Sequence, residues 1–146
     1  MKQKLNCVLL IDDDEPTNFL TKMVLEEAGC TEHIHIEESG QAALDFLSRS
    51  GIKKEDEETS SCPDLIFVDI NMPAMNGWEF MEHYSSLEKH KKGKIVMVML
   101  TTSLNPDDRQ KAEHIKDISG FETKPLNPEK LNQILQKYFP ERVEGE

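Results

Sequence analysis

The sequence predicts a doubly wound α/β domain built on a five-stranded parallel sheet. Short apolar runs alternate five times with segments of helical period. The strongest runs are continuously apolar rather than alternating, as expected when helices cover both faces of a parallel sheet. Right-handed crossovers between such units give one sheet with helices on either side.

The elements follow in order. Leu5–Ile11 is a strand that stops at Asp12. Phe19, Leu20, Met23, Val24 and Ala28 recur at the spacing of an amphipathic helix over 16–28, with Pro16 in its first turn and Gly29 at its exit. Residues 34–37 form a short, weak strand. Ala42, Ala43, Phe46 and Leu47 share one face of a helix over 41–47, which Ser39 is placed to cap. Leu65–Val68 is a strand ending at Asp69. Trp78, Met81 and Tyr84 mark a helical stripe over 77–87. Residues 95–100 are a third strong strand, running into Thr101, Thr102 and Ser103. A polar helix over 106–118 precedes a short strand over 119–123 that contains Phe121. Leu131, Ile134, Leu135 and Tyr138 then mark a helix over 128–139. Residues 50–62 are acidic, polar and Ser-rich and read as a long loop. The domain is expected over 1–140, with 141–146 a flexible tail.

The chain has 146 residues, 17 Lys plus Arg against 28 Asp plus Glu, and a net charge of −11. That length fits one domain with a substantial core. The excess negative charge argues against nucleic acid as a direct partner. The longest unbroken apolar run, 95–100, is far too short to span a bilayer, and the N-terminus has no signal-peptide pattern. Cys7, Cys30 and Cys62 are widely spaced and odd in number, which suits reduced, buried thiols in a cytoplasmic protein.

In open α/β sheets, ligands bind beyond the carboxyl ends of the strands. Those ends carry Asp12, Asp13 and Asp14, then Asp69, then Thr101, Thr102 and Ser103, then Lys124 followed by Pro125. Two carboxylates about 4 Å apart repel by roughly 4 kcal/mol at an effective dielectric of 20. A cluster of them therefore takes up protons or a cation. Hard oxygen donors without His or Cys suit Mg²⁺, which keeps open positions for phosphate oxygens. Lys124 supplies a point charge for a phosphate or carboxylate, Thr101 a hydroxyl donor, and an Asp carboxylate is a known phosphoryl nucleophile.

Four motifs occur in order: Leu10-Ile11-Asp12-Asp13; the stretch from Val68 and Asp69 through Met72-Pro73-Ala74-Met75-Asn76-Gly77; Met99-Leu100-Thr101-Thr102-Ser103; and Gly120-Phe121-Glu122-Thr123-Lys124-Pro125. With them, residues 5–139 resemble the receiver domain of a two-component response regulator, of the stand-alone type similar to the chemotaxis regulator. The resemblance implies a flavodoxin-like fold with strand order 2-1-3-4-5 and five helices. It implies that Asp69 accepts a phosphoryl group from a phosphohistidine on a sensor histidine kinase or a histidine phosphotransfer protein. Asp13 would bind Mg²⁺ directly, Asp12 through water, and the Asn71 carbonyl would complete the ligands. Lys124 would pair with Asp69 and then with phosphate. Thr101 would move toward the phosphoryl group, and Phe121 would be the aromatic switch that follows it, changing the surface seen by a downstream protein target. Lys124–Pro125 is a cis candidate on the same ground. The product is an aspartyl phosphate on a signalling module rather than an enzyme's turnover. No output domain follows position 139, so a stand-alone regulator, relay intermediate or phosphate sink is expected.

Plainer readings hold for other features. Asp14 reads as an N-cap, His33 and His35 as ordinary strand residues, and Trp78, Met81 and Tyr84 as packing. The basic run Lys89, His90, Lys91, Lys92 and Lys94 reads as a solvated loop. Two other function classes fit parts of this pattern. A haloacid-dehalogenase-type phosphatase would use Asp12 as nucleophile with Asp14, Thr101 and Lys124, but it leaves Asp69 and the Met-Pro-x-Met-x-Gly stretch unexplained. A purely structural adaptor leaves the whole set of acids, Thr101 and Lys124 without a role.

Overall fold

The computed structural model describes residues 3–50, 63–87, 95–102 and 104–143. The strands are β1 (Leu5–Ile11), β2 (Thr31–Glu37), β3 (Leu65–Val68), β4 (Val96–Thr101) and β5 (Gly120–Thr123). The helices are α1 (Glu15–Ala28), α2 (Gly40–Ser50), α3 (Gly77–Ser85), α4 (Pro106–Glu113), α5 (Pro128–Tyr138) and α6 (Pro140–Val143). All neighbouring strands pair in parallel, in the order β2-β1-β3-β4-β5.

Side chains alternate across the sheet and fill two cores. Leu9, Ile11, Ile66, Val68, Met97 and Met99 pack with Ala43, Leu47, Phe80 and Met81 of α2 and α3. Val8, Leu10, Leu65, Phe67, Val98 and Leu100 pack with Leu25 of α1 and Leu131, Ile134 and Leu135 of α5. Both faces being covered is why the central strands read as unbroken apolar runs.

The ends of several elements differ from expectation. β2 begins at Thr31, three residues early, because Leu5 pairs with Thr31 and Cys7 with His33. It is an edge strand with exposed Glu32 and His33, so pairing rather than hydrophobicity defines it. α4 stops at Glu113; Ile118 is buried below it in the turn that leads to β5. Ser39 caps α2 as expected, accepting the Ala42 N–H at 3.1 Å. His35 stacks on Phe46 with ring centroids 4.1 Å apart, a packing contact between β2 and α2. Met81 and Tyr84 are core residues, and Trp78 packs against that core beneath the Lys111 ammonium.

The largest departure is on α1. The residues it buries are Asn18, Thr21 and Leu25, whereas Phe19, Leu20 and Met23 are 63%, 54% and 40% exposed. Most of the predicted apolar stripe therefore faces outward, while Val24 packs against the core. Its inward face near the N-terminus meets the strand-end acids, where polar side chains are needed: Asn18 Nδ2 donates to the Asp12 carbonyl at 2.8 Å.

Six helices are described rather than five. α6 occupies 140–143, so that part of the expected tail is folded, and 144–146 lie outside the described residues. Arg142 holds it by donating to the Lys4 carbonyl at 2.9 Å and accepting the Gln3 N–H at 3.1 Å. Cys7 and Cys30 are buried free thiols, and burial pushes Cys7 up to about 11. Cys62, the 51–62 segment, the basic run at 89–94 and Ser103 fall outside the described residues. Among the described residues, no helix is long and apolar enough to cross a membrane.

Candidate functional site

Strand register brings the acids together. Ile11 pairs with Val68, so β1 and β3 deliver Asp12 and Asp69 side by side at the carboxyl edge of the sheet. The Asp69 N–H donates to the Ile11 carbonyl at 2.9 Å, extending the ladder past the strands. One oxygen from each of Asp12, Asp13 and Asp69 lies within 4.8 Å of the others. Asp12 and Asp69 are buried and Asp13 is exposed. Among the described residues this is the one group of three such ligands, and neither His33 nor His35 belongs to it.

Lys124 closes the cluster. Thr101 pairs with Thr123, and the Lys124 N–H donates to the Thr101 carbonyl at 2.7 Å. The Lys124–Pro125 bond is cis, as the resemblance implied. The Lys124 Nζ lies 2.6 Å from Asp12 Oδ2 and 3.2 Å from Asp69 Oδ1. The expected partner is Asp69; the ammonium bridges both acids and sits nearer Asp12. Two buried carboxylates side by side repel, and a single cation offsets both only from between them. Burial pushes the Asp69 carboxyl above its ordinary range and the Asp12 charge adds to this, outweighing Lys124 and the Asn71 backbone N–H. Burial pulls Lys124 down, but the Asp12 hydrogen bond and the two acids' charges leave it raised.

The other acids have distinct tasks. Both Asp12 oxygens accept hydrogen bonds, Oδ1 from the Asp14 N–H at 2.9 Å and Oδ2 from Lys124. Asp14 turns away to cap α1, accepting the Thr17 N–H at 3.1 Å and the Thr17 hydroxyl. Those bonds hold its carboxyl below the ordinary range.

The loop after β3 is tightly built. Asn71 is exposed, directly after buried Ile70. Asn76 and Glu79 form a capping box that starts α3. Gly77 donates its N–H to the Ile70 carbonyl at 2.7 Å, and a Cβ there would lie 2.5 Å from the Asp69 carbonyl oxygen. This contact explains the glycine in the motif. Ala74 has φ of 65°, the left-handed region. Relief of that strain is worth about 1–2 kcal/mol, and glycine's extra unfolded-state freedom takes back about 0.5–1. Ala74→Gly is therefore expected to raise stability by about 0.5–1 kcal/mol, read as a higher urea midpoint with unchanged slope.

Thr101 is fully buried at the end of β4. Phe121 pairs with Met99 in register, is half-buried against the α2–α3 core, and lies under the Arg109 guanidinium of α4 at 5.1 Å. Thus Asp12, Asp13, Asp69 and Lys124 form one cluster, Asn71 adjoins it along the chain, Thr101 adjoins it through the pairing of β4 with β5, and Phe121 lies on β5 toward α4. Sequence reasoning missed Asn18, whose only signal is a polar residue amid an apolar helix.

The response regulator receiver domain family matches residues 8–136. The chain belongs to that family. As a receiver domain it is a module of two-component signalling, and the phosphatase reading with Asp12 as nucleophile is overturned by this match. A two-component response regulator from Cytophaga hutchinsonii has a similar structure, with TM-score 0.82 and 33% identity over 94% of this chain and 99% of that one. Response regulator Rcp1 of Synechocystis sp. is 30% identical over 129 residues, 88% of this chain and 83% of its own length. Its Mn²⁺-bound structure superposes with TM-score 0.69 at 28% identity, covering 94% of this chain and 96% of that one. The chemotaxis response regulator CheY4 of Vibrio cholerae gives TM-score 0.71 at 26% identity, over 93% of this chain and 100% of that one.

Proposed function

We propose that this receiver takes a phosphoryl group on Asp69 from a phosphohistidine of a sensor kinase or phosphotransfer protein. The observation that carries this reading is the Lys124 ammonium between two buried carboxylates, 2.6 Å from Asp12 and 3.2 Å from Asp69, with exposed Asp13 beside them. Three hard oxygen donors suit Mg²⁺, and the Mn²⁺-bound Rcp1 structure supports a divalent ion in this family. Asp13 and Asp69, with the Asn71 carbonyl, would hold it directly. Asp12, whose oxygens both already accept hydrogen bonds, would reach it through water. Bound there, Mg²⁺ supplies charge neutralisation for phosphoryl oxygens.

An Asp69 oxygen attacks phosphorus as the phosphorus–nitrogen bond breaks; the imidazole leaves and the product is an acyl phosphate. Lys124 is placed to exchange a carboxylate for a phosphoryl oxygen without leaving the cluster. Buried Thr101 turns its hydroxyl toward the new oxygens, and Phe121 repacks behind it, altering the face made by α4, β5 and α5. Turnover beyond the domain's own transfer and self-dephosphorylation is not part of this reading. Exposed Phe19, Leu20 and Met23, within three turns of Asp14 on α1, give a donor protein apolar area to cover beside the acids. Such a module works beside kinases in the cytoplasm.

The test is incubation with acetyl phosphate and Mg²⁺, followed by intact mass. The wild type is expected to gain one phosphoryl group. A chelator, or Asp13→Asn, should cut the uptake rate at least about tenfold, since charge neutralisation supplies most of the catalysis in such transfers. Uptake indifferent to both would contradict the metal assignment.

A further inference from the structure

We infer that Lys130 is a positioning residue for phosphoryl transfer, clamping the segment that presents Lys124. This rests on Asp69 being the acceptor. Lys130 lies in the first turn of α5 and is partly buried. Its Nζ lies 2.9 Å from the Thr123 carbonyl, 3.2 Å from the Pro125 carbonyl and 3.3 Å from the Thr123 hydroxyl, with Glu122 Oε1 at 3.8 Å. Its own N–H donates to Asn127 Oδ1 at 2.7 Å. One residue thus binds the chain on both sides of Lys124, at 122–123 and again at 125 and 127.

The need for such a clamp follows from the site. β5 is an edge strand only four residues long, so pairing with β4 holds Lys124 from one side, through the Thr101 carbonyl. Lys130 supplies the hold from the other side. An ammonium has three donors, and carbonyls at positions 123 and 125, with the Thr123 hydroxyl, use them. The carbonyls so held flank the residue whose Nζ must sit between Asp12 and Asp69. A displacement of about 1 Å in a reacting group costs up to about a hundredfold in rate.

The test compares wild type, Lys130→Met and Lys130→Arg. Met keeps the stem and removes the donors, whereas Arg restores charge and donors. Initial rates of phosphoryl uptake from acetyl phosphate are measured at saturating Mg²⁺, and Mg²⁺ affinity by calorimetry. We expect Lys130→Met to lose at least about tenfold in rate, Lys130→Arg to recover most of it, and Mg²⁺ affinity not to fall in either. A purely structural defect would lower metal affinity along with rate. The ¹H–¹⁵N signal of the Lys124 ammonium, slow to exchange when held by two carboxylates, should be lost in Lys130→Met and kept in Lys130→Arg. If Lys130→Met does not fold, the Arg variant's rate and ammonium signal decide. A wild-type rate and an intact ammonium signal in Lys130→Met would overturn the clamp, as would a folded Arg variant that recovers neither. A wild type that takes up no phosphate would instead sink the acceptor reading, and the ammonium signal would still decide whether Lys130 positions Lys124.

Discussion

Lys124→Met is expected to destabilise the protein by about 3 kcal/mol near neutral pH in a chelator, because removing one partner of a buried ion pair leaves an uncompensated charge. Here it leaves two, since Asp12 and Asp69 side chains are each 8% exposed and share that single ammonium. The sign of its pH dependence is fixed by Asp69. Burial and Asp12 already raise its carboxyl above the ordinary 3.8, and losing Lys124 raises it further. A carboxyl raised on folding contributes stability below its unfolded value and forfeits it as pH rises through the folded value. The deficit of Lys124→Met should therefore shrink toward about pH 5 and grow toward about pH 8. Urea unfolding of both proteins across that range measures it, and saturating Mg²⁺ should return part of the loss. A deficit independent of pH and of divalent ion would mean that the ammonium does not hold the acids.

Gly77→Ala should impair both folding and chemistry. The added Cβ would meet the Asp69 carbonyl oxygen at 2.5 Å and Ile70 Cα at 2.9 Å. Both are backbone atoms, so the end of β3 or the start of α3 must move. Overpacking of this kind costs about 1–3 kcal/mol, and the shift falls on Asp69, the residue whose carboxylate is proposed to attack phosphorus. The rate of phosphoryl uptake is expected to fall at least about tenfold, beyond what the lost stability explains. Melting curves and initial rates on the same sample separate the two effects. Retained rate with lowered stability would place the strain on α3 alone.

The central sheet and the edge that carries the candidate site were legible in the sequence, for one physical reason. Parallel strands buried on both faces must be apolar throughout, and the polar residues that end them stand out: Asp12, Asp69, Thr101 and Lys124. Edges were harder. β2 is held by pairing with β1, so its polar first half, Thr31 to His33, carried no strand signal. α1 misled because its apolar residues Phe19, Leu20 and Met23 face away from the core while Asn18 and Thr21 face in. A helix that borders a charged site inverts the usual pattern near that site. α6 was invisible because a single turn has no periodicity; Arg142 fixes it through contacts distant in sequence. The Lys124 bridge to Asp12 likewise required coordinates, since strand-end order says which groups converge but not which pair is shorter.

The proposed acceptor of the phosphoryl group is a carboxylate oxygen of Asp69. The direct measurement is peptide mapping after brief phosphorylation with acetyl phosphate and Mg²⁺, with borohydride reducing the acyl phosphate to homoserine. Homoserine at position 69, absent at positions 12 and 13, is the predicted result. Homoserine at position 12 or 13 with position 69 intact would contradict it.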